Sequence, residues 1–484
     1  MASRKTLNAK NLEALGAERL AELLVEVSTG NAGVKRRIRL ELASLQSPDQ
    51  VAKEISKRLT TIARSRSFVD WQNRRDLVDD LEAQRRAIVQ QVAKADPTEG
   101  LDLMWRFMAL ANSVFARCDD SSGTVSSIFH AACHDLGEMA QTAKVSPEEL
   151  AERTFNTLID NDYGQYDELI AVLTPALGPT GLDQLKGRFL EFSKVPPERP
   201  KDKDRRVVGW GRGPLYADEL ASRRRESVIR LALQEIADAQ GDVDAFIAQQ
   251  SEKARTVPAV AAEIAQRLLK AGRAEEAWSA INAVEQRGSG WIPFEWEQVR
   301  VEVMEALGRK EEAQAFRWSC FERTLNDAHL RGYLKHLPEF EDIEAEERAM
   351  ATALEFPEIH QALAFLISWP ALEKAAALVL GRAKGLNGDH YEILSPAADA
   401  LAGKHPLAAT LLLRSMIDFA LKRNRVKRYR HAARHLAECV SLASAIGDFG
   451  GFEPHDRYTV RLKAEHGRKS SFWTLVTRAT GLTA

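Results

Sequence analysis

The 484 residues are 45% hydrophobic, 28% charged and only 7% aromatic, the balance of a soluble helical array with ample material for a large interior. Lys and Arg number 67 against 69 Asp and Glu, which excludes a globally basic or acidic protein. Attraction to nucleic acid or to a membrane would therefore need a local patch. The cysteines Cys118, Cys133, Cys320 and Cys439 are far apart and follow no zinc-ribbon or CxxC spacing, so a reduced, cytoplasmic setting is expected. Met1 to Lys10 has no apolar core of signal-peptide length, and no stretch reaches the roughly 18 apolar residues of a membrane span.

From the N-terminus, apolar residues at helical spacing predict helices over 11–28, 32–45, 48–65, 71–94, 98–117, 122–143, 147–160, 163–176 and 179–193. Ser47-Pro48-Asp49 and Ser146-Pro147-Glu148-Glu149 are start signals, each with a capping serine, a first-turn proline and acids near the positive helix end. Ser193 to Pro214 interrupts this pattern with Pro196, Pro197, Pro200 and Pro214, a charged run from Lys201 to Arg206 and Gly209-Trp210-Gly211-Arg212-Gly213. Proline removes helix hydrogen bonds, so 193–214 reads as a linker between an N-terminal helical domain, 1–192, and a C-terminal domain, 215–484. The glycine stretch is no phosphate cradle, since no strand precedes it and no Lys-Ser or Lys-Thr follows. Helices are expected again over 216–238, 242–255, 257–270, 273–286, 294–307 and 310–326, then as shorter segments to about 478, with no period-two strand anywhere.

Within the second half, Gly272-Arg273-Ala274-Glu275-Glu276-Ala277 returns 36 residues later as Gly308-Arg309-Lys310-Glu311-Glu312-Ala313. Val257, Val260, Ala261, Ile264, Ala265 and Leu268 form one helical stripe before the first copy, and Ala274, Ala277, Trp278, Ile281 and Val284 another after it. The second copy lies between Val299, Val303 and Ala306 on one side and Ala313, Phe316 and Cys320 on the other. Pro370 and Pro406, again 36 apart, are placed to start alanine-rich helices. A hairpin of two helices cannot bury its apolar face alone, and a period near roughly 34 suits tetratricopeptide-like stacking. The expected fold is all-α, an α-solenoid of helical hairpins.

Four constellations bear on chemistry. His130 and His134 lie one helical turn apart with Asp119 and Asp120 upstream, a pattern able to hold a metal ion, and His134-Asp135 resembles the doublet of all-helical phosphohydrolases. No histidine precedes His130, however, and the alternative is a turn at Asp119 to Gly123 capped by Ser121 or Ser122, with both histidines packed beside it. His431, His435 and Cys439 share a helical face, but Ala432 stands where a zinc peptidase needs glutamate. Lys422, Arg423, Arg425, Lys427, Arg428, Arg430 and Arg434 fall in a run free of acids between Asp418 and Glu438, the electrostatic half of a nucleic-acid site; the acidic run Glu339 to Glu347 offers compensation. Trp278, Trp291, Trp296 and Trp318 read as core at repeat junctions. No nucleophile elbow, Walker loop or dinucleotide fingerprint is present, so no catalytic residue and no cofactor is assigned.

Ala21-Glu22-Leu23-Leu24, Lys35-Arg36-Arg37-Ile38-Arg39, Phe68-Val69-Asp70-Trp71, Asp119-Asp120-Ser121-Ser122-Gly123 and Tyr163-Gly164-Gln165-Tyr166-Asp167 resemble markers of an uncharacterised bacterial helical family, a domain of unknown function. The runs from His405 to Leu412 and from Arg428 to Leu436 are similar to it as well. The repeat region also resembles the helical part that follows the SWIM zinc finger in some bacterial proteins, but the CxC and CxH of that finger are absent. The resemblance implies a cytoplasmic bacterial repeat protein and assigns no site. The function expected is a non-enzymatic scaffold for a protein or peptide partner, without a membrane role. The alternatives are nucleic-acid association through the basic run and a metal-dependent hydrolase at Asp119, Asp120, His130 and His134.

Overall fold

Serine–proline pairs start helices where the sequence places them. In the computed structural model, which describes residues 7–71, 73–197, 200–201, 204–211, 213–284 and 292–480, helices Pro48–Arg64 and Pro147–Leu158 begin on proline. The Ser47 and Ser146 hydroxyls accept from the Gln50 and Glu149 amides at 3.3 and 3.1 Å, satisfying one otherwise orphaned donor in each helix. Arg212 and Trp291 lie outside the described residues.

The protein is all-α, apart from one antiparallel hairpin among the described residues, Val207–Trp210 with Pro214–Tyr216. That hairpin falls in the segment expected to be strandless. Arg205 secures it: its guanidinium lies 3.8 Å over the Tyr216 ring and pairs with Asp218 at 2.9 Å and Glu219 at 2.7 Å. A glycine-rich stretch gives no alternating pattern to read, and cross-links of this kind fall outside sequence periodicity.

The chain divides into two compact units, Met1–Val260 and Ala261–Ala484. Segment 193–214 lies inside the first unit, where helix Leu169–Lys194 packs against Ala217–Gln240 as well as Pro147–Leu158 and Thr124–Ala140. Ile55, Phe107, Phe129, Leu173 and Phe189 are fully buried in its core, each such side chain contributing about 1.5–3 kcal/mol of burial. Helix Leu169–Lys194 breaks at Gly178 (φ 56°, ψ −173°), between the two helices expected over 163–176 and 179–193. Its start is later than expected because residues 161–167 satisfy one another: Asn161 Oδ1 accepts from the Tyr166 amide at 3.3 Å, and Gln165 Oε1 from the Tyr163 amide at 3.1 Å. The helix expected over 71–94 contains a π turn at Ile88–Val92.

In the second unit the echoed hexapeptides make the same turn. Gly272 (φ 73°) and Gly308 (φ 75°) adopt the left-handed conformation. The next residues, Arg273 and Arg309, each donate back to Leu268 and Met304 carbonyls at 2.8 Å, the hydrogen bond that closes a Schellman helix end. Trp296 is buried, and its indole donates to the Ile281 carbonyl at 3.2 Å, joining the two copies. Val257 differs from expectation, standing before helix Pro258–Lys270 and 46% exposed. Pro406 starts helix Pro406–Lys422, while Pro370 sits in the turn ahead of helix Leu372–Arg382. Helix Pro406–Lys422 packs against Leu372–Arg382, Tyr391–Leu401 and Tyr429–Ala443, with Leu412, Ile417 and Leu421 fully buried.

Nothing lies within 4 Å of a Cβ added at Gly308, so only backbone strain opposes a side chain there. Gly308→Ala is expected to destabilise the second unit by about 1–2 kcal/mol, and Gly308→Asn by less, read as lowered midpoints in chemical denaturation. Equal midpoints for all three proteins would contradict this assignment of the turn.

Candidate functional site

Asp119, Asp120, His130 and His134 do not converge. The Asp120 carboxylate accepts from the Val125 amide at 2.9 Å, the Ser126 amide at 2.8 Å and the Ser126 hydroxyl at 2.8 Å, so it, rather than Ser121 or Ser122, satisfies the start of helix Thr124–Ala140. Burial pushes its pKa up, but these bonds and Arg74 outweigh burial and the net displacement is downward. Asp119 turns its carboxylate to the Ser121 amide at 3.1 Å. Both histidines are exposed rather than packed, and His134 pairs with Glu168 at 2.8 Å. Beside them on the same helix the buried Cys133 thiol is pushed up to about 12 by burial. His435 and Cys439 are buried while His431 is exposed, so that trio does not share one pocket either. Instead His435 Nδ1 lies 3.1 Å from Glu438.

Tyr163 to Asp167 borders a cleft of about 530 Å³ in the first unit, lined by Gln165 and Tyr166 together with Asn112, Glu152 and Arg153. Two of its charged groups are engaged: Arg153 pairs with Asp102, and Glu152 with Arg188 at 2.7 Å.

The second unit holds a cleft of about 860 Å³ whose floor is helix Pro406–Lys422. Leu411, Arg414, Ser415, Asp418 and Lys422 follow one another at helical spacing, which places them on one face. Arg414 is 6% exposed. Its guanidinium lies 4.4 Å over the Tyr458 ring and 5.7 Å over Phe449, and Nη1 donates to the Glu453 carbonyl at 2.6 Å. Its Nε and Nη2 have no hydrogen-bond partner, and among the described residues no carboxylate lies within ion-pair distance of it. Burial displaces its pKa downward, but a guanidinium keeps its charge at any physiological pH.

The acids of this cleft are already committed. Asp418 accepts from the Tyr458 hydroxyl at 2.9 Å and faces Arg461 at 3.5 Å and Lys422 at 3.9 Å, while Glu453 faces Arg461 at 3.1 Å. With Lys384, Arg414, Lys422 and Arg461 against Asp418 and Glu453, the lining carries two positive charges in excess. Desolvating a cation without a counter-charge is costly, so Arg414 is a poor residue for stability and a good one for receiving an anion.

The basic run continues from this rim. Arg428 pairs with Asp389 at 2.8 Å and Arg434 with Glu438 at 3.3 Å, whereas Arg423, Arg425, Lys427 and Arg430 are exposed with no acid in ion-pair range among the described residues. The run and Lys422 stand out in the sequence, with Asp418 marking only its upstream limit, whereas Arg414 and Tyr458 went unnoticed there. A polar stripe within an otherwise apolar helix, at positions 411, 414, 415, 418 and 422, was the available signal.

One carboxyl is displaced into the neutral range. Glu235 is pushed up from 4.5 to about 7, first by burial and then by Asp167 and Asp238. A carboxyl with a raised pKa lends stability while protonated, and that contribution is lost as the pH climbs through the folded-state value. The wild type is therefore expected to lose stability between about pH 5 and about pH 8, and Glu235→Gln to be more stable at the upper end by about 1–3 kcal/mol. Parallel stability–pH curves for the two proteins would contradict this.

No helix among the described residues is long and apolar enough to cross a membrane. No curated protein matches the chain. The similarity to the helical part of SWIM zinc-finger proteins has no counterpart in the family match. That match covers residues 2–475, and by it the chain belongs to DUF6880, a family of unknown function.

Proposed function

We propose that this protein is a non-enzymatic, cytoplasmic binding module built of tetratricopeptide-like hairpins, whose second unit receives an acidic segment of a partner protein. The observation that carries this reading is Arg414, a buried guanidinium with no carboxylate partner among the described residues, in a cleft of about 860 Å³. An aspartate or glutamate side chain, or a chain-terminal carboxylate, supplies two acceptor oxygens for the two idle donors, which are closed to solvent in the free protein and would be uncovered as the segment enters. Lys422 and the exposed Arg423, Arg425 and Lys427 extend the positive field beyond the cleft and favour further acids along the same segment. Nucleic acid is the second reading, favoured by the four unpaired cations of the run; the turn that carries them exposes no aromatic ring for base stacking.

Fluorescence anisotropy with labelled acidic, neutral and basic peptides, and with short DNA and RNA, separates the two. Acidic peptides are expected to bind, and Arg414→Met to weaken them about 10–100-fold while leaving stability unchanged or raised, because the variant removes a desolvated charge. Binding of DNA or RNA that survives Arg414→Met and is lost on joint replacement of Arg423, Arg425 and Lys427 by Glu would move the function to the basic run. Equal peptide binding by wild type and Arg414→Met would refute the proposed cleft.

A further inference from the structure

Three side chains of metal-ligating type meet in the second unit away from that cleft. Glu297 stands on helix Phe294–Ala306, Cys320 on Lys310–Thr324 and His329 on Asp327–Lys335. All three are buried, and a carboxylate oxygen, a thiol sulfur and an imidazole nitrogen lie within 4.8 Å of one another. It is the one such group of His, Cys and acidic side chains among the described residues. His329 Nε2 is 2.8 Å from Glu297 Oε2, and the Phe294 ring packs edge-on against the imidazole at 5.1 Å.

A positive charge already occupies this pocket, but it comes from outside. Arg323 is 52% exposed, and its Nη2 reaches in to bond the other Glu297 oxygen while standing 3.6 Å from Cys320 Sγ. A guanidinium on a solvent-facing stem can leave without unfolding the helix that carries it, and its departure opens the path for another cation. Zinc binds sulfur at about 2.3 Å and nitrogen or oxygen at about 2.0–2.2 Å, which spaces tetrahedral ligand atoms about 3.3–3.7 Å apart. Reaching that spacing from one in which all three atoms lie within 4.8 Å opens the His329–Glu297 pair from its 2.8 Å. The mixed set of one thiolate, one imidazole and one carboxylate suits zinc better than magnesium or calcium, which prefer oxygen alone.

We propose that Glu297, Cys320 and His329 form a three-residue site for a zinc-type divalent cation, which Arg323 vacates as the ion enters. On binding, the Cys320 thiol proton passes to solvent and a metal–sulfur bond forms; the His329 Nε2 proton now held against Glu297 is exchanged through solvent for one on Nδ1, so that Nε2 and the Glu297 carboxylate donate lone pairs, and the fourth position is left to water. The ion would cross-link the helices of the second hexapeptide copy to the helix that follows them.

The test is a titration of the chelator-treated full chain with cobalt(II), which reports thiolate ligation by a charge-transfer band and four-coordination by visible d–d bands. One equivalent is expected to bind, zinc to displace it, and Cys320→Ser to abolish the charge-transfer band while Cys439→Ser retains it. Arg323→Gln keeps all three ligands and removes the competing charge, so it is expected to bind cobalt about tenfold more tightly. Absence of the band in the wild type, or an unchanged band in Cys320→Ser, would overturn the site. Unchanged cobalt affinity in Arg323→Gln would overturn it as well, leaving Arg323 as the plain ion-pair partner of a buried carboxylate.

Discussion

A hairpin of two helices leaves an apolar stripe that it cannot hide by itself, and the packing of the buried helices in this chain follows from that constraint. Each stripe must be covered by the next helices along. Helix Pro406–Lys422 is the clearest case, packed by three other helices with Leu412, Ile417 and Leu421 fully out of water. Covering stripes in series requires sharp, reproducible turns, and the chain makes two of them with one device: a left-handed glycine followed by an arginine amide bonded back five residues. The hexapeptide echo is the sequence image of that device.

The same constraint gives meaning to polar groups on covered faces. A side chain turned inward in such an array either completes a network or waits for something. Asp120 completes one, with three donors closing a helix start. Arg205 completes another across the hairpin. Arg414 does not: two of its nitrogens stay idle beneath Tyr458 while the neighbouring acids serve Arg461, Lys422 and Tyr458. Glu297 occupies a middle ground, satisfied by His329 and by an arginine that comes in from solvent. Incomplete or borrowed compensation distinguishes these two places from ordinary ion pairs on the surface, which contribute little to stability.

Local chemistry was legible in the sequence, and convergence was not. Proline at 48 and 147, glycine at 272 and 308, and the break near Gly178 are read from one residue's backbone preference, and the helices followed them. The hairpin at Val207–Tyr216 escaped because its glycines and prolines mark an interruption without saying how the chain crosses it. The candidate sites escaped more completely. Neighbouring residues such as His130 and His134 advertise themselves but point to solvent, whereas Glu297, Cys320 and His329, or Arg414 and Tyr458, meet only through tertiary packing. Cys320 read correctly as one position of an apolar stripe; its company there has no sequence signature.

The central claim is that the buried charge of Arg414 is there to be met by an incoming carboxylate. Arginine side-chain NMR reads it at the residue itself, through the Nε–Hε resonance assigned by loss in Arg414→Lys. A saturable shift and slowed solvent exchange of that resonance with an acidic peptide, but not with its amide counterpart, is the predicted result. A resonance that stays in place while signals from Arg423, Arg425 or Arg430 move would contradict the account and put the binding surface on the exposed basic run.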